Sequence, residues 1–152
     1  MPSPIRSVLV LCEGNHCRSP IAELLLRRAL GPGIRVASAG LHALEGHPAD
    51  ELAQTVVAEA GLSLAEHRGQ QVNAAMLLAA DLILVMEEGQ AEQVTSFAPA
   101  ARGRAFLLGH WLPEVRKAVL DPYQLGPTAM AASHRYIQEA VEAWGHRIGP
   151  GT

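Results

Sequence analysis

Short apolar runs alternate along this chain with stretches whose apolar residues recur every three or four positions. Residues 7–11 predict a buried strand, and residues 21–30 carry helical spacing closed by Gly31-Pro32-Gly33. A second strand is expected over 34–38, followed by Ala39-Gly40, and a helix over 48–60 with Gly61 at its end. Residues 72–80 suggest a short helix. The most continuous strand signal is Leu82-Ile83-Leu84-Val85-Met86. Helical spacing returns over 88–97 and stops before Pro99. A fourth strand is expected at 105–108, then a loop over 109–126 and a last helix over 127–144. Strands that alternate with helices predict an α/β protein: a four-stranded parallel sheet covered on both faces, in three layers. Ligands in such sheets bind beyond the carboxyl ends of the strands, near the point where strand order reverses. No repeat, linker or low-complexity segment interrupts the pattern, so residues 1–152 read as a single domain.

Chemistry concentrates where the first strand ends. It runs straight into Cys12-Glu13-Gly14-Asn15-His16-Cys17-Arg18-Ser19-Pro20. A strand that feeds a helix through a tight polar loop leaves several backbone N–H groups without an intrahelical partner. Curled round a tetrahedral oxyanion, those groups donate to it, and the helix dipole favours its charge. Arg18 adds a planar, permanently charged fork for two oxygens. The same dipoles favour thiolate over thiol at Cys12, so one loop, Glu13, Gly14, Asn15, His16, Cys17 and Arg18, both holds phosphate and supplies a nucleophile. The spacing alone is weak; the strand before it and Ser19-Pro20 opening a helix after it give it weight. The plain alternative is a buried Cys12 at a strand end and a surface Arg18.

Composition narrows the partners. A net charge of −3 with no basic cluster argues against nucleic-acid binding. No apolar run reaches the roughly 18 residues of a membrane span, and the N-terminus lacks the order of a signal peptide, so a cytoplasmic location without membrane insertion is expected. The 2 cysteines lie in one loop and staple nothing distant. With no second Cys/His pair, they also lack zinc spacing, and no metal or cofactor is implied.

A reaction that expels an alcohol or phenol needs a proton donor. Asp81 precedes an apolar strand and reads as structural; Asp50 opens a helix and complements its dipole. Asp121-Pro122-Tyr123 sits in the long loop, stiffened by its proline. Taken alone it is an ordinary turn; together with the Cys12 loop it is the place for the acid.

Taken together, these segments resemble the low-molecular-weight protein tyrosine phosphatases. Cys12 to Pro20 is similar to their Cys-x5-Arg-Ser-Pro signature, second cysteine included, and Asp121-Pro122-Tyr123 to their late general-acid motif. Val36-Ala37-Ser38-Ala39-Gly40 and Asp81 to Met86 resemble family segments. Ala98 to Gly103 and Gly109-His110-Trp111-Leu112 resemble the bacterial branch linked to exopolysaccharide export. The resemblance spans nearly the full length and implies a flavodoxin-like fold of the phosphotyrosine phosphatase I type. It makes Cys12 the nucleophile, Arg18 the phosphate clamp, and Asp121 first the acid and then the base for water. Ser19 would hydrogen-bond the thiolate, and Asn15 would brace the loop with Ser38 and His67. Leu41, His42 and Leu44 follow the second strand, where the family places one cleft wall, and Leu41 and Tyr123 would flank the substrate ring. Two positions depart from the family: His16 stands where an aliphatic residue is usual, and the arginine after His67 is displaced to Arg68. His16 would either add charge to the loop or point to solvent.

The activity implied is hydrolysis of protein phosphotyrosine through a phosphocysteine, the partner a phosphorylated bacterial tyrosine kinase or another exopolysaccharide-pathway protein. Phosphotyrosine is favoured over phosphoserine because a nucleophile at the floor of a cradle is reached by the longer ester. Cys17, five residues beyond Cys12, is close enough to resolve an oxidised Cys12. Two rivals remain: arsenate reduction on the same loop, which relays electrons through further cysteines that this chain lacks, and a phosphate-binding module without catalysis.

Overall fold

Leu82, Ile83, Leu84 and Val85 are all buried, as a strand covered on both faces requires. The computed structural model of the chain describes residues 4–113 and 121–149. Its strands are β1 (Ser7–Cys12), β2 (Arg35–Gly40), β3 (Leu82–Val85) and β4 (Ala105–Leu107), all parallel, in the order β2-β1-β3-β4. Chain order reverses at β1, which pairs with β2 on one side and β3 on the other. The carboxyl end of β1 is therefore the crevice where such sheets bind ligands.

Alternation along β1 builds two cores. Val8, Val10 and Cys12 face one cluster with Ile21, Leu26, Met130, Ile137 and Trp144; Leu9 and Leu11 face the other with Leu77, Ile83, Val94 and Ala98. The helices α1 (Arg18–Leu30), α2 (Glu51–Glu59) and α5 (Pro127–Ile148) cover the first face. The helices α3 (Ala74–Ala79) and α4 (Glu88–Phe97) cover the second. The three layers and the parallel sheet are those expected.

Several boundaries differ, each for a local reason. The first helix starts at Arg18, three residues before the apolar spacing, with Pro20 inside its first turn, where a missing N–H costs nothing. The second starts at Glu51 rather than Pro48, because the Asp50 carboxylate caps it by accepting from Leu52 N (2.9 Å) and Ala53 N (3.4 Å). The last helix continues past Trp144 to Ile148 and ends at Gly149. A 3₁₀ turn at Pro99–Ala101 was not expected. Of the predicted loop, residues 114–120 lie outside the described residues. The structural reading of Asp81 agrees with its contacts: its carboxylate accepts from the backbone of Arg6 (2.8 Å) and Ser7 (3.1 Å), pinning the start of β1.

An aromatic group fixes the root of that loop. Trp144 donates its indole N–H to the Leu108 carbonyl (2.8 Å), its ring edge-on to Phe106 and Trp111 and stacked near His110. Arg147 lies over Trp111 at 3.9 Å. The end of β4 is thereby tied to α5, on the side of the sheet where Asp121 emerges.

Candidate active site

The loop after β1 is shaped by where its carbonyls go. Cys12 O accepts from Leu41 N (3.0 Å), Glu13 O from His42 N (2.8 Å), Gly14 O from Leu44 N (3.0 Å) and His16 O from Asp50 N (3.0 Å). The segment after β2 thus takes up the carbonyls from outside. Among the described residues, no backbone carbonyl or side chain accepts from the N–H groups of Glu13 to Cys17. Such a ring of unpaired donors is an anion nest. Two glycines make the close approach possible. A Cβ on Gly40 would stand 2.9 Å from Asn15 N, Glu13 O and Ala43 Cα, and one on Gly69 would stand 2.3 Å from Leu44 O.

Asn15 holds the turn. Its φ of 52° is the left-handed conformation that asparagine tolerates best after glycine. The side chain is 1% exposed and fully used: its amide donates to Ser19 Oγ (2.8 Å) and Ser38 Oγ (2.9 Å), and its oxygen accepts from Gln70 N (2.9 Å). His67 donates from Nε2 to the Asn15 carbonyl at 2.8 Å. Ser38 in turn donates to Glu23, which pairs with Arg27 at 2.6 Å. Asn15, Ser19, Ser38 and His67 are therefore one polar network beneath the loop, with Asn15, Ser19 and Ser38 buried and His67 half-buried at its edge.

Cys12 is 3% exposed, with its Sγ 3.0 Å from Ser19 Oγ. Arg18 is buried at the first turn of α1 and directs its guanidinium to two carboxylates. Nη1 lies 3.7 Å from Glu87 Oε1 and Nη2 lies 3.5 Å from Asp121 Oδ2. Asp121, whose side chain is 49% exposed, also accepts from Tyr123 N at 3.1 Å, an Asx turn across Pro122. Cys17 is equally buried, and burial above all, then Asp50, pushes its thiol up to about 12.

A cleft of about 190 Å³ opens over Cys12, lined by Glu13, Gly14, His16, Cys17, Arg18, His42, Leu44, Asp121 and Tyr123. Leu41, expected at its wall, is not there. The alternation of β2 continues into it, so it points with Ala37 and Ala39 to the opposite core and leaves the wall to His42 and Leu44. His42 pairs with Glu13 at the rim. Glu87 was not anticipated, although a buried arginine beside β1 calls for a carboxylate at the carboxyl end of the neighbouring strand, and Glu87 follows β3. A larger hollow of about 930 Å³ lies at the opposite ends of the strands, bordered by Arg27, Arg35 and Met76, but among the described residues no cysteine, histidine or carboxylate lines it.

An anion nest at the switch point of a parallel sheet, with a thiol at its floor, is the architecture of an α/β phosphate-handling protein. The family model described as low molecular weight phosphotyrosine protein phosphatase matches residues 7–150. The chain is 44% identical over 142 residues to the low molecular weight protein-tyrosine-phosphatase Etp of Escherichia coli K12, covering 93% of this chain and 94% of Etp. Its fold matches the crystal structure of the Erwinia amylovora tyrosine phosphatase AmsI with a TM-score of 0.94 and 40% identity, over 98% and 97% of the two chains. It matches the tyrosine phosphatase Wzb of Escherichia coli K30, solved in complex with sulphate, with a TM-score of 0.91 and 43% identity, over 95% and 99%. The chain belongs to the low-molecular-weight protein-tyrosine-phosphatase family, and its activity is that family's. Among the described residues no helix is long and apolar enough to cross a membrane.

Proposed function

We propose that the protein hydrolyses phosphotyrosine in proteins through a phosphocysteine intermediate, without a metal. The observation that carries this reading is the loop itself: carbonyls turned outward, N–H groups left for an anion, and Cys12 and Arg18 beside them. The sulphate held by Wzb is a tetrahedral oxyanion of the kind such a cradle accepts. In the first step the Cys12 thiolate attacks phosphorus, the P–O bond to the tyrosyl oxygen breaks, and Asp121 gives its proton to the leaving phenolate. In the second, Asp121 as carboxylate takes a proton from water, the water oxygen attacks phosphorus, and Cys12 leaves as thiolate with the Ser19 hydroxyl donating to it. Arg18 and the loop N–H groups stabilise the charge on the transferring group throughout, and Glu87 steadies Arg18 from its far side. Asn15, Ser38 and His67 keep the loop in its strained turn. Tyr123 and Leu44 flank the phenyl ring, and the depth of Cys12 favours the tyrosyl ester over the shorter seryl one.

The enzyme acts in the cytoplasm on a phosphorylated bacterial tyrosine kinase or another protein of the exopolysaccharide pathway, a reading supported by the resemblance of residues 98–112 to that branch. Steady-state hydrolysis of an aryl phosphate should be unaffected by EDTA, with vanadate and phosphate as competitive inhibitors. Loss of activity on chelation, restored by a divalent ion, would contradict the mechanism.

Cys17 is proposed as the thiol that resolves an oxidised Cys12. Peroxide oxidises Cys12 to the sulfenic acid, and the Cys17 thiolate attacks its sulfur, forming the S–S bond and releasing hydroxide. With its thiol at about 12, that thiolate is scarce near neutral pH, so the step is slow and accelerates as pH rises. Peroxide should inactivate the enzyme reversibly, dithiothreitol should restore it, and Cys17→Ser should recover less. Equal recovery in both proteins would exclude Cys17 from the role.

A further inference from the structure

The His16 side chain has no part in the mechanism above, yet it is far from idle. It is 19% exposed, with Nε2 3.6 Å from Asp50 Oδ1. Asp50 is itself fixed: its other oxygen caps α2, and its N–H donates to the His16 carbonyl. The imidazole also meets Tyr123 in a T-shaped contact, with ring centroids 5.6 Å apart and planes at 74°. Tyr123 belongs to the Asx turn of Asp121. A continuous chain of contacts therefore runs from the cap of α2 through His16 and Tyr123 to the Asp121 carboxyl. Asp121 and Tyr123 are each nearly half exposed, and this chain and the Arg18 contact are among the described contacts that hold that turn over the cradle.

We infer that His16 is a positioning residue for the proton donor: its ring, oriented by Asp50, buttresses Tyr123 and keeps Asp121 within reach of the leaving oxygen. The inference rests on Asp121 being the acid. A donor must stand within hydrogen-bond distance of the atom it protonates, and a misplacement of about 1 Å costs on the order of 10²-fold. Removing the ring should therefore harm substrates that need the proton and spare those that do not.

The test is kcat/KM, which reports the first chemical step, across a series of substituted phenyl phosphates for wild type, His16→Ala, His16→Phe, Asp121→Asn and the His16→Ala/Asp121→Asn pair. The slope against leaving-group pKa does not depend on the fraction of folded enzyme, so partial misfolding cannot imitate the result. His16→Ala should lose about 10–100-fold on unsubstituted phenyl phosphate and only a few-fold on dinitrophenyl phosphate. His16→Phe keeps a ring against Tyr123 and should retain most of the shallow slope. The double variant should be no steeper than Asp121→Asn. A shallow His16→Ala slope beside a steep Asp121→Asn slope overturns the inference and leaves the acid in place. An equal loss on every substrate, or His16→Phe behaving as His16→Ala, also overturns it, pointing to the imidazole charge rather than the ring. A shallow Asp121→Asn slope overturns both readings.

Discussion

Cys12→Ser is expected to lower turnover of aryl phosphates by about 10⁴-fold or more, a barrier increase of at least about 5 kcal/mol, while leaving oxyanion binding measurable. The two effects separate because they rest on different atoms. Turnover needs a strong nucleophile at the floor of the nest, and a serine hydroxyl is a far weaker one than a cysteine sulfur. Binding needs the loop N–H groups and Arg18, and neither is touched by exchanging sulfur for oxygen. The change is also small in volume, and Ser19 remains as a hydrogen-bond partner for the new hydroxyl at the position where Sγ lies 3.0 Å away. Steady-state kinetics on a nitrophenyl phosphate and calorimetric titration with inorganic phosphate or sulphate make the pair of measurements. Activity within a few-fold of wild type would remove Cys12 as the nucleophile. Loss of both activity and anion binding would show that the thiol holds the loop together, and the nest would have to be reconsidered.

Much of this site is legible in the sequence because it is local. Nine consecutive residues, Cys12 to Pro20, carry the thiol, the loop and the opening of α1, and strand-loop-helix order places them at a sheet end without any tertiary information. The parallel sheet is readable for a similar reason: β1 and β3 are apolar at nearly every position, as strands buried on both faces must be. What the sequence hides is whatever depends on register between distant segments. Glu87 meets Arg18 only because β3 lies beside β1. Asp50 reaches His16 because residues 41–50 wrap the loop and accept its direction from the outward carbonyls. Leu41 shows the limit most clearly. Its neighbours in sequence do line the cleft, but the period of two along β2 sends Leu41 to the other face. The side-chain period was visible in the chain; where the strand's alternation ceased was not. His16 was open to two readings, charge in the loop or a solvated side chain; the ring lies against Asp50 and Tyr123 with little exposure, against the second of them.

Asp121→Asn is expected to make the first chemical step steeply dependent on the leaving group, where wild type is nearly flat. Phenolate leaving from phosphotyrosine has a conjugate acid of pKa about 10, so negative charge accumulates on its oxygen unless a proton arrives as the P–O bond breaks. Asparagine keeps the shape of the side chain, and its carbonyl oxygen can still accept from Tyr123 N as Oδ1 does at 3.1 Å, but it has no acidic proton to give. It also loses the charge that faces Arg18 at 3.5 Å, which leaves the guanidinium more available to the phosphoryl oxygens; any gain in anion binding therefore works against the expected loss and cannot produce it. General acids contribute on the order of 10²–10⁴-fold, about 3–5 kcal/mol, so phenyl phosphate and phosphotyrosine peptides should show a loss of that size while dinitrophenyl phosphate, whose leaving group needs no proton, should be nearly unchanged. Single-turnover release across the substituted phenyl phosphates, in both proteins, isolates the step from hydrolysis of the phosphocysteine. Parallel slopes would mean that the proton comes from another carboxyl at the cleft. Glu13 lines the cleft and pairs with His42, and Glu87 touches Arg18; Glu13→Gln and Glu87→Gln, measured on the same series, would then identify which of them supplies it.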